Sequence, residues 1–219
     1  MQRKPRNIDQ ASRRLLKAVN SDRKPARPDR SADTSIVTRV QNTSLRAGDH
    51  VQDFILMDSH GRPAHLESFL EKGPVVIHFY RGGWCPYCNS KLCAFQRVLP
   101  TIESLGSSLL AISPELPCNS LAAEQKNRLT FSVLSDVGNV VAKRFGIVSK
   151  LPEELVALYE ESQHGFEQAN GSNGANELPV PATFVIDQAR TISMALVEEG
   201  AATHAAPALA IKALKKPNG

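Results

Sequence analysis

PVVIHFYRGGWCPYCNSKLC, residues 74–93, joins a short apolar run to a pair of cysteines at the start of a helical pattern. The run PVVIHFY is apolar apart from one histidine, which is typical of a strand buried on both faces of a sheet. From about Tyr87 onward, apolar side chains recur at helical spacing. We therefore expect a buried strand, a short loop, and a helix whose first turn carries Cys85 and Cys88.

The two cysteines are predicted to lie where a helix presents unpaired N–H groups and a partial positive charge. This environment stabilises a thiolate, so a cysteine there has a lowered pKa and becomes a nucleophile. The two-residue spacing lets the second sulfur attack a mixed disulfide on the first. Pro86 fits the first helical position, and Trp84 would shield one side of the pair. Cys85 and Cys88 are predicted to be a catalytic, redox-active pair.

Zinc binding is the alternative use of the cysteines, which are Cys85, Cys88, Cys93 and Cys118. Structural zinc sites usually consist of two separated pairs, or of one pair with a matching pair of histidines. Here the intervening segments hold 2, 4 and 24 residues, and no second Cys-x-x-Cys follows. We expect redox chemistry without a metal or another cofactor, and we expect Cys118 to be a buried, inert thiol.

Strand and helix patterns alternate along the remainder of the chain, which points to an α/β sandwich around a central mixed sheet flanked by helices. A hairpin and a helix start are expected within residues 47–69, and a closing hairpin is expected in ATFVID and TISMALV. Further strands are expected at residues 108–113 and 131–136. Further helices are expected near residues 120–127, 139–145, 151–162 and 206–215, with a Gly/Asn-rich loop at 163–176.

The chain divides by composition into a basic arm, residues 1–46, and a globular domain, residues 47–219. The arm holds 12 Lys and Arg against 4 Asp and Glu, a net charge of +8, and is predicted to be a short helix at residues 9–18 followed by a linker. No aromatic residue occurs in residues 1–53, so nucleic-acid binding is not favoured. Neither a secretory h-region nor a membrane-spanning run is found, and we expect a cytoplasmic protein with no membrane contact.

The globular part resembles the alkyl hydroperoxide reductase/thiol-specific antioxidant family of the thioredoxin-like superfamily, and within it the peroxiredoxin-like group that carries FYRGGWCPYC. The resemblance runs from about Ala47 to about Lys215. It rests on AGDHVQDFIL, VVIHFYRGGWCPYCNSKL, LLAISPE, FSVLSDVGNVVAKRFGIV and LPVPATFVID, in that order. It implies a thioredoxin-like sandwich of the peroxiredoxin type, and a homodimer is plausible on the same ground.

In the peroxiredoxin pattern, counting from Phe-Tyr places the peroxidatic cysteine on Cys88. The family's Thr or Ser three residues earlier is replaced here by Cys85, and its arginine before the late strand is replaced by Pro181. Arg81, which stands at the family's proline position, is then the candidate cation. Cys93 lies where some single-chain peroxiredoxins keep a resolving cysteine. If it shares a helix with Cys88, the first turn must unwind before the two sulfurs can meet.

In the thioredoxin pattern, Cys85 is the exposed nucleophile, Cys88 is the resolving thiol, and Pro181 follows a cis peptide bond packed against the pair. All three positions are filled here, so we expect a cis Val180–Pro181 bond. Tyr80 is expected to hydrogen-bond near the site. Glu115 is a possible proton acceptor, although a solvated carboxylate is the expected state.

These patterns lead to three functional hypotheses. The preferred one is a dithiol–disulfide oxidoreductase in which Cys85 attacks a substrate disulfide, Cys88 resolves it, and a thioredoxin- or glutathione-type donor restores the pair. The second is a thioredoxin-dependent peroxidase that reduces hydroperoxides at Cys88, with Cys85 or Cys93 resolving. The third is a non-enzymatic redox sensor. The missing threonine and arginine favour the first, because a preorganised hydroxyl and cation stabilise developing charge on a peroxide.

Overall fold

The computed structural model describes residues 40–151, 176–198 and 205–216. The helix predicted at residues 9–18 lies outside them, as do residues 152–175, where a further helix and a loop are predicted. In the described part no helix is long and apolar enough to cross a membrane.

The described residues form a seven-stranded sheet and a separate two-stranded sheet. Five helices are described from residue 66 onward. The strands are β1 (Ile55–Asp58), β2 (Pro63–His65), β3 (Val75–Phe79), β4 (Ser108–Ser113), β5 (Ser132–Ser135), β6 (Val148–Lys150), β7 (Glu177–Pro179), β8 (Ala182–Ile186) and β9 (Ile192–Val197). The helices are α1 (Leu66–Leu70), α2 (Pro86–Ser104), α3 (Pro117–Asn127), α4 (Val140–Arg144) and α5 (Ala206–Leu214).

The large sheet has the strand order β2-β1-β5-β4-β3-β8-β9. Strands β3, β4 and β5 are parallel to one another, and the outer pairs are antiparallel, so the sheet is mixed as predicted. Phe79 of β3 is paired with Ile112 of β4. The residues that follow these two strands, Tyr80–Arg81 and Pro114–Glu115, therefore leave the sheet at the same edge, where α/β folds usually place their functional groups.

Side chains of strand β3, and of Tyr80 directly after it, alternate between two apolar layers. Val75, Ile77 and Phe79 join the core on one face, whereas Val76 and Tyr80 join the core under helix α2 on the other. Every residue of β3 is buried, as its apolar run predicts. The buried face of α2 consists of Cys88, Lys91, Leu92, Phe95, Leu99 and Ile102. Cys85 and Cys88 themselves belong to the apolar layer under α2.

His78 is the polar residue within this buried strand, and its ring is fully packed. Its Nδ1 lies 3.0 Å from the hydroxyl of Thr183 on β8, and its ring centroid lies 4.9 Å from that of Phe95. Burial, helped by the positive charge of Lys91, lowers the pKa of His78 to about 3, so the imidazole is neutral. The buried ammonium of Lys91 is paired with Glu198 at 2.6 Å.

The structure differs from the sequence-based expectation at two further places. The antiparallel pair β6–β7 is not among the expected strands, since each of its members has only three residues. The packed chain also includes residues before 47. Val40 is 3% exposed within the core, and the hydroxyl of Thr43 donates to the carbonyl of Gly146 at 2.9 Å. The segment 40–46 therefore packs with the globular domain, although the sequence predicts it to belong to the arm. That the residues before 40 form a separate arm stays a prediction.

Candidate active site

The loop between β3 and α2 is short and held tightly. The Tyr80 N–H donates to the carbonyl of Ile112 at 2.9 Å, which extends the β3–β4 ladder by one bond. Gly82 has φ +151°, and a Cβ there would collide with the indole of Trp84 and lie 3.0 Å from Cδ of Glu115. Only glycine therefore lets the backbone pass between these two side chains.

Cys85 is the N-cap of α2, Pro86 occupies the first turn, and Cys88 follows three residues after the cap. Both thiols are reduced, and each cysteine is 5% exposed. The pair thus stands at the N-terminus of a 19-residue helix, as the sequence predicts. The catalytic role of Cys85 and Cys88 remains a prediction.

The reduced pair ionises at Cys85. The hydrogen bond from the Cys88 thiol is the largest cause that lowers the pKa of Cys85 to about 6, and the backbone N–H groups of Cys88 and Tyr87 and the charge of Arg81 add to it against the effect of burial. The pKa of Cys88 is raised well above its ordinary value, first because it donates that hydrogen bond and second because it is buried. At neutral pH the pair therefore holds one proton, on Cys88.

Arg81 is near enough to act on both sulfurs. Its positive charge lowers the pKa of Cys85 and of Cys88, and its side chain is partly exposed. A cation at this position stabilises a thiolate and can face a molecule that enters from solvent. Arg81 thus supplies positive charge to the cysteine pair.

A buried polar cluster lies on the other side of the loop, formed by Tyr80, Ser113 and Glu115. Glu115 is 3% exposed and accepts a hydrogen bond from the N–H of Gly83 at 2.7 Å. Burial raises the pKa of Glu115 to about 7, although the Gly83 N–H and the nearby Ser113 hydroxyl oppose it. The expectation that this carboxylate is solvated is wrong, because the loop at Gly82–Gly83 closes over it.

Tyr80 is fully buried next to this carboxyl group. Burial raises its pKa and the charges of Glu115 and Cys88 raise it further, while the neighbouring Ser113 hydroxyl opposes them. Although the hydroxyls of Tyr80 and Ser113 are neighbours, neither has a partner in good hydrogen-bond geometry among the described residues. The predicted hydrogen bond of Tyr80 near the site stays a prediction, with the Ser113 hydroxyl as the candidate partner.

A second polar network connects Cys93 to the start of α2. The Cys93 thiol lies 3.5 Å from Oδ1 of Asn127, whose Nδ2 donates to Oδ1 of Asn89 at 2.7 Å. Nδ2 of Asn89 in turn donates to the carbonyls of Gly83 and Cys85, at 2.7 and 3.1 Å. These bonds fix the first turn of the helix, so Cys93 cannot reach Cys88 in this conformation.

Two expectations about single residues need correction. The Val180–Pro181 bond is trans, as no cis peptide occurs in the described residues. The extended chain here is held by hydrogen bonds on both sides, from the Val180 N–H to Ile147 and from the Glu198 N–H to the Pro181 carbonyl, and trans is the intrinsically favoured isomer. Cys118 is exposed rather than buried, because it occupies the first turn of α3.

The four cysteines do not form a metal cage. Cys93 faces Asn127, and Cys118 starts another helix. Within the described ranges, no group of three or more His, Cys, Asp or Glu side chains is arranged to hold a metal ion. The arrangement instead offers a thiolate, a neighbouring thiol, a cation and a buried carboxyl group, which is the equipment for thiol redox chemistry.

A model of the AhpC/TSA family matches residues 47–195. The chain belongs to the AhpC/TSA family. Peroxiredoxin Q of Sedum lineare, described as chloroplastic, is 37% identical over 98 residues, which are 45% of this chain and 52% of that protein. A putative peroxiredoxin of Mycobacterium tuberculosis is 30% identical over 114 residues, which are 52% of this chain and 74% of that protein. The chain spans about half the length of the first of these relatives.

Two solved structures named as a peroxidoxin and a PrxQ have the same fold. Peroxidoxin BcpB from Mycobacterium tuberculosis is 26% identical with a TM-score of 0.64, over 78% of this chain and 96% of that one. A cysteine-to-serine mutant of Xylella fastidiosa PrxQ superposes with a TM-score of 0.62 over the same shares at 18% identity, which speaks for the fold alone. The predicted thioredoxin-like sandwich of the peroxiredoxin type is confirmed.

Sequence reasoning missed several residues of the site. The asparagine pair Asn89–Asn127 belongs to no motif, and its role depends on how α2 packs against α3. Glu115 was singled out from the sequence as a candidate proton acceptor, but Ser113, the last residue of β4, was not. A polar residue at the carboxyl end of a strand that neighbours the cysteine strand is the signal that could have drawn attention to Ser113.

Proposed function

We propose that the protein is a thiol peroxidase that reduces hydroperoxides with the Cys85–Cys88 pair. The observation that carries this proposal is the ionised Cys85 at the N-terminus of α2, beside Arg81, in a chain of the AhpC/TSA family. Relatives named peroxiredoxin support hydroperoxides over disulfides as the substrate. The sequence-based preference for disulfide reduction therefore moves to second place.

In the first step, the Cys85 thiolate attacks one oxygen of the hydroperoxide. An S–O bond forms, the O–O bond breaks, and the departing oxygen takes up a proton to leave as an alcohol, or as water when the substrate is hydrogen peroxide. Cys85 becomes a sulfenic acid. In the second step the Cys88 sulfur attacks that of Cys85, an S–S bond forms, and the hydroxyl leaves as water with the Cys88 proton.

The assignment of the attacking sulfur follows the charges of the pair rather than the family's numbering. Counting along the family motif places the peroxidatic position on Cys88, but Cys88 is the thiol that keeps its proton. Only a thiolate is an effective nucleophile. Arg81 and the N–H groups of the first helical turn stabilise negative charge at Cys85 and on the oxygens of a peroxide that approaches it.

The disulfide product must be reduced by two electrons before the next cycle. A thioredoxin- or glutathione-type donor suits this step, because its thiolate can attack the Cys85 sulfur and release Cys88. The cytoplasmic location, the homodimer and the participation of Cys93 in resolving stay predictions. A redox-sensing role would require the same thiolate without turnover by a donor.

Disulfide reduction is the second candidate function, and one observation favours it. The Cys85 thiolate with a protonated Cys88 three residues later is the arrangement that attacks a substrate disulfide and then resolves the mixed disulfide. Both functions begin with the same nucleophile, so they differ in the substrate and in the rate with which it reacts.

A single-turnover experiment separates the two functions. Fully reduced protein is mixed with one equivalent of hydrogen peroxide or of a small alkyl disulfide, and the loss of thiols and of oxidant is followed over time. We expect one peroxide consumed per Cys85–Cys88 disulfide formed, as identified by peptide mass, at a rate far above that of a free thiol. Peroxide consumption no faster than by glutathione, together with rapid disulfide exchange, would replace this proposal by the second candidate.

A further inference from the structure

We propose that the carboxyl group of Glu115 is the proton-transfer group of the dithiol site. It donates its proton to the leaving group when Cys85 is oxidised and is reprotonated before the next turnover. This inference rests on the proposed function, because it concerns the oxygen released from a hydroperoxide. It applies equally to the sulfur released from a disulfide, which allows a separate test.

The position of Glu115 supports this role. β3 and β4 are parallel neighbours, so the residues after Ser113 and those after Phe79 emerge side by side. The carboxyl group accepts from the Gly83 N–H at 2.7 Å, two residues before Cys85. A Cβ on Gly83 would lie 3.6 Å from Oε2 of Glu115, and one on Gly82 would lie 3.0 Å from its Cδ. Two successive glycines thus bring the active-site loop into contact with this side chain.

The surroundings of Glu115 are those of a proton carrier rather than of a surface carboxylate. The charged and titratable groups that face it are Cys85 from α2, Tyr80 from the end of β3 and Lys126 from α3. Lys126 favours the carboxylate and ionised Cys85 disfavours it, so a proton leaves Glu115 more easily once the Cys85 charge has been consumed by reaction. The buried carboxyl group titrates near neutral pH, where such transfer is most effective.

The hydroxyls of Tyr80 and Ser113 lie beside the Glu115 carboxyl group and could take part in the proton transfer. Both are buried against the carboxyl group, and neither has a partner in good hydrogen-bond geometry in the described part of the chain. A buried hydroxyl without a partner is costly, and such groups commonly bind a water molecule or a reactant. They are therefore suited to orient the departing oxygen or a water molecule towards Glu115.

The reaction balances with Glu115 as the donor. The Cys85 thiolate, the hydroperoxide and the Glu115 proton give the Cys85 sulfenic acid, the alcohol and the Glu115 carboxylate. Condensation with the Cys88 thiol then gives the disulfide and one water molecule, in which the Cys88 proton and the hydroxyl combine. The carboxylate regains a proton from solvent before the next turnover, and the donor dithiol supplies the two electrons.

The test compares pH–rate profiles of the first oxidation step in wild-type protein, Glu115→Gln and Glu124→Gln. Glutamine keeps the acceptor for the Gly83 N–H but cannot release a proton. The oxidation rate of wild-type protein is expected to rise through about pH 6, because Cys85 ionises there. The rate is expected to fall above about pH 7, because Glu115 then loses the proton that it must donate. Glu115→Gln is expected to be at least about tenfold slower near neutral pH and to lose the falling limb. Glu124, which lies on α3 and is hydrogen-bonded to Ser59, is the matched control and keeps both limbs.

A merely structural role predicts a different result. Glu115→Gln would then slow oxidation at every pH but keep the decline above neutral pH, and this outcome would overturn the proposal. If Glu115→Gln does not fold, as judged by circular dichroism, Glu115→Asp serves instead. Glu115→Asp keeps a carboxyl group on a shorter side chain, so oxidation is expected to be slower but the rate should still fall above neutral pH. Loss of this falling limb in Glu115→Asp would likewise contradict proton transfer.

The same variants separate this inference from the proposed function. If wild-type protein reduces hydrogen peroxide no faster than a free thiol, the peroxidase proposal fails, and the profiles are measured with an alkyl disulfide. The departing thiolate needs a proton just as the departing alkoxide does. A falling limb that depends on Glu115 in that reaction would support proton transfer, whereas its persistence in Glu115→Gln would exclude it.

Discussion

The Cys88 thiol donates a hydrogen bond to the sulfur of Cys85. Cys85 is the N-cap of helix α2, and Cys88 lies in the first turn of the same helix. The relationship divides one proton unequally between two neighbouring sulfurs, with the thiolate at the helix terminus and the thiol in the first turn. It gives the pair an order of reaction, because the sulfur that lacks the proton attacks and the sulfur that keeps it resolves.

Replacement of Cys88 by alanine is expected to raise the pKa of Cys85. The substitution removes the largest stabilising contact of the thiolate, and the pKa is expected to rise from about 6 by about 1 unit or more. The ultraviolet absorbance of the thiolate, followed by titration, measures this value. Cys118→Ala is the control, since Cys118 is exposed in the first turn of α3. An unaltered pKa in Cys88→Ala would contradict the hydrogen bond between the thiols.

Arg81→Gln is expected to slow oxidation of the pair. Removal of the cation raises the pKa of Cys85 and withdraws charge from the peroxide, so we expect a loss of about tenfold or more in the second-order rate constant near neutral pH. Stopped-flow oxidation measures it, and Arg81→Lys is expected to recover part of the rate because it keeps the charge. Equal rates for Arg81→Gln and Arg81→Lys would show that packing, rather than charge, matters at this position.

Glu115→Gln is expected to stabilise the protein at alkaline pH. The pKa of Glu115 is about 7 in the folded protein and ordinarily 4.5, so the folded state binds the proton more tightly. The unfolding free energy therefore falls as pH rises between these values, by up to about 3 kcal/mol. Buried neutral His78 produces the opposite slope, with a folded pKa of about 3, but it does so equally in both proteins.

The measurement is urea unfolding of both proteins at about pH 8 and about pH 5. The stability of Glu115→Gln relative to wild type should rise between the lower and the higher pH. A difference between the two proteins that does not change with pH would mean that Glu115 titrates alike in the folded and unfolded states.

Gly83→Ala is expected to strain the contact between the active-site loop and α3. An added Cβ would lie 2.5 Å from the Cβ of Ala123, closer than two carbon atoms can approach. We expect a loss of about 1–3 kcal/mol in stability, together with slower oxidation because the loop carries Cys85. Ala123→Gly in the same chain restores the space at a cost of about 1 kcal/mol for glycine in a helix. Thermal unfolding of the single and double variants should reveal this compensation, and strictly additive effects would rule out the contact.

The strand β3, the helix α2 and the position of the cysteine pair could be predicted because they depend on local sequence. The apolar run from Val75 to Phe79 indicates a strand that is buried on both faces. Pro86 indicates the first turn of a helix, and this signal does not depend on what the helix packs against. The same holds for the β8–β9 hairpin, whose apolar strands flank a short turn. The mixed sheet followed from the order of these elements.

The environment of the pair could not be predicted, because it depends on contacts distant in sequence. Glu115 is buried since Gly82 and Gly83 close over it, and neither glycine indicates this alone. The β6–β7 pair joins residues that lie 27 or more positions apart, so no local pattern marks it. The trans bond before Pro181 likewise depends on hydrogen bonds from two other segments, one of them at Ile147.

The most direct test follows the fluorescence of Trp84, which adjoins Cys85 and is the sole tryptophan of the sequence, when reduced protein is mixed with hydrogen peroxide in a stopped-flow instrument. Wild-type protein, Cys85→Ser and Cys88→Ser are compared near neutral pH. We expect a fast, peroxide-dependent phase in wild type that persists in Cys88→Ser and disappears in Cys85→Ser. A fast phase that survives in Cys85→Ser and vanishes in Cys88→Ser would contradict the assignment of the attacking sulfur, and the absence of any fast phase in wild type would contradict the peroxidase function itself.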